Sequence, residues 1–235
     1  MKIKTIKTRI FEPSENLIEF IENYLPKIQE ETILVITSKI VALSEGRLIE
    51  KTSKKEKIKL IKKESDFFVN SKYAYLTIKD GMVMANSGVD ESNAQDNIIL
   101  LPKNSFLTAK KIRDYFLKKH SIKNFGVIIT DSRSMPLRKG IVGVSLGYAG
   151  FSGLKDYRHS LDIFGRPFKT SIVNVADSLA TAAVLCMGEG DEKKPLAIIE
   201  KAPVIYLNKI KKNELLMNLA NDMYRPIFRN KLKKV

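Results

Sequence analysis

The sequence predicts a mixed α+β chain, and three observations carry that prediction. Short apolar runs rich in β-branched residues, such as TILVI (32–36) and FGVII (125–129), read as buried strands. Between such runs lie stretches with apolar residues at helical spacing, at 17–25, 109–119 and 174–188. The tight turn Lys79-Asp80-Gly81 joins YAYLTI (73–78) to MVMA (82–85), which reads as a hairpin and therefore as antiparallel pairing.

Taken in order, residues 2–11 alternate loosely around Ile3, Ile6, Ile10 and Phe11, predicting a first strand. Pro13-Ser14-Glu15 opens a helix carrying Leu17, Ile18, Phe20, Ile21, Tyr24 and Leu25, and Pro26 ends it. TILVI then runs into Thr37-Ser38-Lys39. Residues 52–72 are charged and helical in pattern, with Ile58, Ile61 and Phe67-Phe68 as inward positions. Ile98–Leu101 is a short strand stopped by Pro102, and Ser105 or Thr108 caps a helix over Ala109–Lys119. Phe125–Ile129, Val142–Leu146, Lys169–Val173 and Pro195–Glu200 are further strands. Asn174–Gly188 is the clearest helix, with Val175, Leu179, Ala182, Ala183 and Cys186 at helical spacing. Asn213–Met223 reads as a terminal helix and Arg225–Val235 as a basic tail. No repeat or low-complexity linker divides the chain, so residues 1–235 read as one unit.

At 235 residues and 44% hydrophobic content, the chain can bury an ordinary core. No apolar run is long enough to cross a bilayer, and the N-terminus lacks the apolar core of a signal peptide, so a cytoplasmic location is expected. The single Cys186 has no intramolecular disulfide partner, which fits a reducing compartment, and it reads as a small core hydrophobe. The net charge of +15 permits binding to polyanions. Its lysines are spread out, and no aromatic-interleaved basic motif, zinc spacing or RNA-recognition signature accompanies them. They read as a solvated surface that would also suit a phosphate-rich small ligand. A non-catalytic nucleic-acid binder is the competing reading from a different class.

Four segments carry chemistry. IITDSRSMPLRKGIVGVSLG (128–147) reads as strand, polar loop, strand. Its loop gathers Asp131, Ser132, Arg133, Ser134 and Arg138, which suits either a metal–phosphate site or a solvated turn. Ser38 and Lys39, directly after a buried strand, are either phosphate contacts or a helix start with a surface lysine. No GxxxxGK[ST] loop occurs, so a P-loop is not supported. ANSGVDESN (85–93) offers oxygen ligands to a hard cation, with Gly88 letting the backbone bend so that Asp90 and Asn93 converge; it equally suits a turn of Asx hydrogen bonds. Glu189, between Gly188 and Gly190, either reaches into a cleft or belongs to a helix cap. GYAGFSG (147–153) and the following DYRHS and DIFGR segments form a mobile substrate-side loop or a structural connection, and His120 and His159 read as surface residues.

In this combination the chain resembles the coenzyme F420-0:γ-glutamyl ligase family. The matching pieces are TSKIVALSEGR (37–47), ANSGVDESN (85–93), LLP (100–102), IITDSRSMPLRKGIVGVSLGYAG (128–150), DYRHSLDIFGR (156–166) and VADSLATAAVLCMGEGDEKKP (175–195), in the family's order. The resemblance implies a family-specific mixed fold, mainly antiparallel sheets with packed helices, and a homodimer with its cleft near the subunit interface. It implies that GTP activates an acceptor carboxylate through an acyl phosphate, which the amine of L-glutamate then attacks. Mg or Mn, as two divalent cations, and a potassium ion go with that chemistry. By position, Asp90, Asp131 and Glu189 resemble metal-ligand carboxylates, and Ser132 stands where the family has a threonine ligand. Ser38, Lys39, Asn93 and the Met187–Asp191 segment, with Gly188 and Gly190, resemble nucleotide contacts. Asp131 and Arg138 are the expected catalytic residues.

The chain also departs from the family pattern. Leu43 stands where the family usually has a lysine, Ser134-Met135 replace a Gly-Arg pair with Arg133 just before it, and His159 replaces a glycine. The N-terminal nucleotide-contacting loop is only vaguely recognisable around Arg9–Phe11. These changes bear on nucleotide and acceptor choice, and a reduced folate is the alternative acceptor to F420-0.

Overall fold

The computed structural model describes residues 1–209, 213–228 and 233–234. A central sheet orders everything else. It contains β1 (Lys2–Ile6), β2 (Thr32–Thr37), β8 (Phe125–Ser134), β9 (Ile141–Ala149) and β12 (Leu196–Glu200), in the order β1-β12-β2-β8-β9. Its neighbouring strands are antiparallel except β2 and β8, which run parallel. β2 sits in the middle, and its residues 32–36 are all buried. A strand covered on both faces needs a continuous apolar run, which is what TILVI supplies.

Side chains alternate across the sheet and build two cores. Leu34, Ile36, Val127, Ile129, Leu196 and Ile198 point to one face. There they meet α1 (Leu17–Tyr24), α2 (Ser38–Ser44) and α4 (Ser105–His120) through Phe20, Ile21, Val41, Ile112 and Phe116. Ile33, Val35, Ile128, Ala197 and Ile199 point the other way, onto α5 (Val175–Met187) through Ala176, Leu179, Ala180 and Ala183. Gly143 of β9 makes that second contact close. A Cβ there would lie 2.6 Å from the Val184 Cβ and 2.7 Å from the Ala180 carbonyl oxygen.

A smaller sheet is built from β4 (Phe67–Asn70), β5 (Tyr75–Lys79) and β6 (Met82–Ala85), with β13 (Lys233–Lys234) beside β4. α3 (Lys54–Lys63) packs nearby through Ile61. Two short pairs complete the architecture: β3 (Leu48–Ile49) with β7 (Ile98–Ile99), and β10 (Leu154–Asp156) with β11 (Ile172–Asn174). Among the described residues no helix is long and apolar enough to cross a membrane.

Several sequence expectations are corrected. The helix expected through 52–72 stops at Lys63, and Phe67-Phe68 lie in β4, where Phe68 stacks on Tyr75 at 4.7 Å between ring centroids. The first strand ends at Ile6, α1 is capped by Asn16, and α4 starts at Ser105 under an Asn104 cap. The strand expected at 169–173 is the shorter β11. The terminal helix over Asn213–Met223 is absent; turns occupy that stretch, and a short helix forms at Arg225–Phe228 instead. Asn218 Oδ1 accepts from the Ala220 N–H at 2.9 Å and Asp222 Oδ1 from the Tyr224 N–H at 2.7 Å. Such local bonds offer the backbone an alternative to the helix ladder. The glycine-rich stretch begins inside β9 rather than in a loop. Cys186 is exposed on α5 rather than in the core. His120 is half-buried and stacks on Phe116 at 5.8 Å, whereas His159 is exposed as expected.

Candidate active site

β2 and β8 are parallel neighbours paired from Thr32 with Phe125 to Thr37 with Thr130. Their carboxyl ends therefore emerge side by side, the place where α/β sheets commonly bind ligands. β2 passes straight into α2, so Ser38 and Lys39 follow the sheet edge. β8 does not end where its apolar run ends. It continues to Ser134, so Asp131, Ser132 and Arg133 lie on a strand and not in the loop that the sequence suggested.

A bulge precedes them. Ile129 pairs with Gly147 and Thr130 with Ser145, leaving Leu146 as the extra residue of β9. Beyond it, alternation puts Asp131 and Arg133 on one face and Ser132 on the other. On the first face, the Ser38 hydroxyl donates to Asp131 Oδ1 at 3.0 Å. Arg133 Nη2 stands 3.5 Å from Asp131 Oδ2, close enough for attraction between charges but long for a hydrogen bond. On the second, the Ser132 hydroxyl donates to Glu189 Oε1, just past the end of α5.

The 85–93 segment arrives from the smaller sheet. Asn86, Ser87 and Gly88 all have positive φ, and the space beside Gly88 is filled by Leu101, whose Cγ would be 2.5 Å from an added Cβ. Only glycine fits there, and the expected bend is present. Asp90 then bridges Ile99 through backbone bonds of 3.0 and 2.8 Å, which leaves its side chain free to face α2. Asp90 Oδ1 accepts from the Ser92 N–H at 2.9 Å, so the turn of Asx bonds exists as well. Lys39 Nζ donates to Asp90 Oδ2 at 2.8 Å, to the Ser92 carbonyl at 2.8 Å and to Ser92 Oγ at 2.9 Å. Asn93 Nδ2 reaches the Gly190 carbonyl at 3.4 Å. Four segments distant in sequence thus meet in pairs.

The two aspartates differ electrostatically. Burial pushes the Asp131 carboxyl above the usual range, and the Arg133 guanidinium and Ser38 hydroxyl oppose this only in part. Burial acts on Asp90 in the same direction, but bonds from Lys39 and Ser92 outweigh it and hold that carboxyl below the usual range. Arg133 is itself buried, its Nε and Nη2 have no hydrogen-bond partner, and burial lowers its pKa.

The remaining expected residues are less convergent. Met187 is buried at the end of α5, Gly188 follows with φ of 86°, and the Gly190 N–H donates to Glu192 Oε2 at 2.8 Å. Asp191 is exposed. Arg138 is exposed at the β8–β9 tip, where its N–H bonds the Met135 carbonyl at 3.2 Å, and it takes no part in the contacts above. Leu43 packs against two apolar clusters. The sequence reading missed Ser92, although the Asp-x-Ser spacing is a known turn signal.

The donor chemistry fits a hard cation. Asp90 Oδ2 and both Ser92 oxygens already surround an ammonium group, Asp131 adds oxygens on one face of β8, and Ser132 with Glu189, just past α5, adds them on the other. Among the described residues, no three His, Cys, Asp or Glu side chains stand preassembled as a metal cage. The expected ligands are instead tied to Lys39, Ser38 and Ser132.

Comparison with known proteins bears on these same segments. The family described as F420-0:gamma-glutamyl ligase matches residues 5–201. The "Coenzyme F420:L-glutamate ligase" of Methanocaldococcus jannaschii is 37% identical over 228 residues, covering 89% of this chain and 90% of that protein. The protein of that name from Methanococcus maripaludis strain C6 is 39% identical, with 89% and 90% covered. The one from Methanopyrus kandleri is 34% identical, with 79% and 81% covered. With the family matched from the first strand to the last strand of the central sheet, the chain belongs to the F420-0:gamma-glutamyl ligase family.

Proposed function

We propose that this chain is a γ-glutamyl ligase that joins L-glutamate to the carboxylate of coenzyme F420-0, using GTP as the activating nucleotide. The observation that carries the reading is the convergence of Ser38-Lys39, Asp90–Asn93, Asp131-Ser132 and Glu189-Gly190 at the carboxyl ends of β2 and β8. The names of the relatives point to ligation of L-glutamate to coenzyme F420.

In this reading the acceptor carboxylate oxygen attacks the γ-phosphorus of GTP, and GDP leaves. The acyl phosphate so formed is attacked at its acyl carbon by the amine of L-glutamate. The amide forms, phosphate departs with the C–O bonding electrons, and the amine loses its proton. No protein nucleophile is required, so the chain acts by positioning and by balancing charge. Ser38, Lys39 and Asn93 hold the nucleotide together with the Met187–Asp191 segment. Asp90, Asp131, Ser132 and Glu189 would hold Mg or Mn, with K as an accompanying ion. Two divalent cations bound there would neutralise the triphosphate and the charge developing on the transferred group. Arg138 adds a cation for that group from the β8–β9 tip. A homodimer belongs to the reading, and the exposed Leu161, Ile163 and Phe164 between β10 and β11 are apolar surface available for it.

The test is mass spectrometry of products. Purified protein is given L-glutamate, GTP or ATP, Mg or Mn, and either F420-0 or a reduced folate. A glutamyl mass added to F420-0 in the presence of GTP is the expected result. Addition to the folate alone would move the acceptor, and addition to neither would overturn the ligase reading.

A further inference from the structure

We infer that Lys39 occupies the cation subsite at Asp90 until nucleotide arrives, so that loading of the metal and release of this lysine are one coupled event. The inference rests on the ligase reading of the site and adds a positioning role that the resemblance does not contain. Three oxygens grip the Lys39 ammonium: Asp90 Oδ2 and the Ser92 carbonyl at 2.8 Å, and Ser92 Oγ at 2.9 Å. Ser92 Oγ also lies 2.7 Å from Asp90 Oδ2, so the three acceptors form one compact set. An ammonium uses all its donors in such a set, and a metal ion seeks the same oxygens. The two cannot share Asp90 Oδ2 without strong repulsion between like charges. A triphosphate offers Lys39 a better set of anionic oxygens. As Lys39 turns to the phosphates, Asp90 is freed for the ion that travels with them. The side chains are partly exposed, at 28% for Lys39 and 45% for Asp90, so the exchange requires no opening of the core.

Lys57 supplies an internal control. It pairs with Glu91 at 2.8 Å, one residue from Asp90, whereas the bonds to the oxygens of Asp90 and Ser92 come from Lys39. General removal of positive charge near the site is the same in both cases; occupancy of the subsite is not.

The experiment is equilibrium dialysis of the full chain against Mn²⁺ alone and against Mn²⁺ with GTP, with free Mn²⁺ read by electron paramagnetic resonance. Without nucleotide, Lys39→Gln is expected to bind Mn²⁺ about tenfold more tightly than the unmodified protein, the scale of a partly exposed ion pair reinforced by hydrogen bonds. Lys57→Gln is expected to stay within about twofold, as a charge change outside the subsite does. Adding Asp90→Asn to Lys39→Gln should cancel the gain. Lys39→Met serves as a second variant that removes the charge, and melting curves establish that each variant is folded. An affinity for Lys39→Gln and Lys39→Met equal to that of the unmodified protein, a gain matched by Lys57→Gln, or a gain that survives Asp90→Asn overturns the inference. If the unmodified protein retains Mn²⁺ in the presence of GTP while Lys39→Gln gains nothing without it, only the Lys39 role fails. If no protein retains Mn²⁺ even with GTP, the metal reading of the site fails and takes the inference with it.

Discussion

Asp131 and Asp90 approach one another from two different parts of the molecule, and their surroundings are opposite. Asp131 lies on a strand of the central sheet, where burial raises its carboxyl pKa and the nearest guanidinium remains 3.5 Å away. Asp90 lies on a turn from the smaller sheet, where an ammonium and a hydroxyl satisfy its charge and lower its pKa. One carboxylate is buried at a cost to its ionised form, and the other is held by an ammonium. The buried carboxylate thus lies on the central sheet, and the satisfied one lies on the turn.

The largest expected effect separates function from stability at Asp131. Asp131→Asn should lower ligase turnover about a thousandfold, the scale of losing a main electrostatic contact to the reacting group. It should not destabilise the protein at neutral pH. A carboxyl whose folded pKa lies above its unfolded value favours the folded state at low pH. That contribution is lost as pH rises through the window from the unfolded value, about 4, to the folded one. The variant should therefore melt at or above the wild-type temperature at pH 7, and the difference should shrink as pH falls through the folded pKa toward the unfolded value of about 4. A clear loss of melting temperature at pH 7 would contradict the contrast.

The next effect concerns the opposite face of β8. Gly143 pairs with Ser132 and lets α5 approach, and α5 delivers Glu189 to Ser132. Gly143→Ala should cost about 1–3 kcal/mol through overpacking against Val184 and the Ala180 carbonyl, measured by urea unfolding. Ser132→Ala, which removes the hydroxyl without crowding, should keep stability and reduce turnover about tenfold, read from kcat at saturating substrate. Equal turnover would remove Ser132 from the site.

The smallest effect lies at the satisfied carboxylate. Asp90→Asn should lower stability at pH 7 by no more than about 1 kcal/mol, because its ion pair is partly exposed. Its folded pKa is depressed, so its contribution is present above the unfolded value of about 4 and disappears as pH falls through the folded one. The melting temperatures of variant and wild type should converge in acid. Asp131→Asn and Asp90→Asn should thus shift stability in opposite directions at pH 7.

Much of the site was legible because its parts are local. Ser38-Lys39 after TILVI, the left-handed bend at Gly88 and the GEG after the alanine-rich helix each follow from short-range chemistry. The status of Asp131 and Ser132 was not legible, because their apolar run ends at Ile129 while the strand continues. Pairing with β9 holds polar residues in an extended form that their own sequence does not demand. The misplaced terminal helix has the reverse cause. Its apolar spacing is helical, but Asn218 and Asp222 capture nearby backbone N–H groups. Cys186 went wrong for a further reason: helical spacing shows which residues share a face, and only packing shows which face is covered.

The sequence by itself determined the strands of the central sheet, the helices α1, α4 and α5, the kinds of side chain available for catalysis, and membership of a ligase family. Local periodicity and ordered motifs suffice for those. Tertiary structure decided which of these side chains meet. Ser38 finds Asp131 across 93 residues and Lys39 finds Asp90 across 51, through the parallel register of β2 with β8 and the bend at Asn86–Gly88. It also decided their electrostatic surroundings. Both residues are aspartate in the sequence, and only burial and partners push the pKa of one up and hold that of the other, bound to the Lys39 ammonium, down.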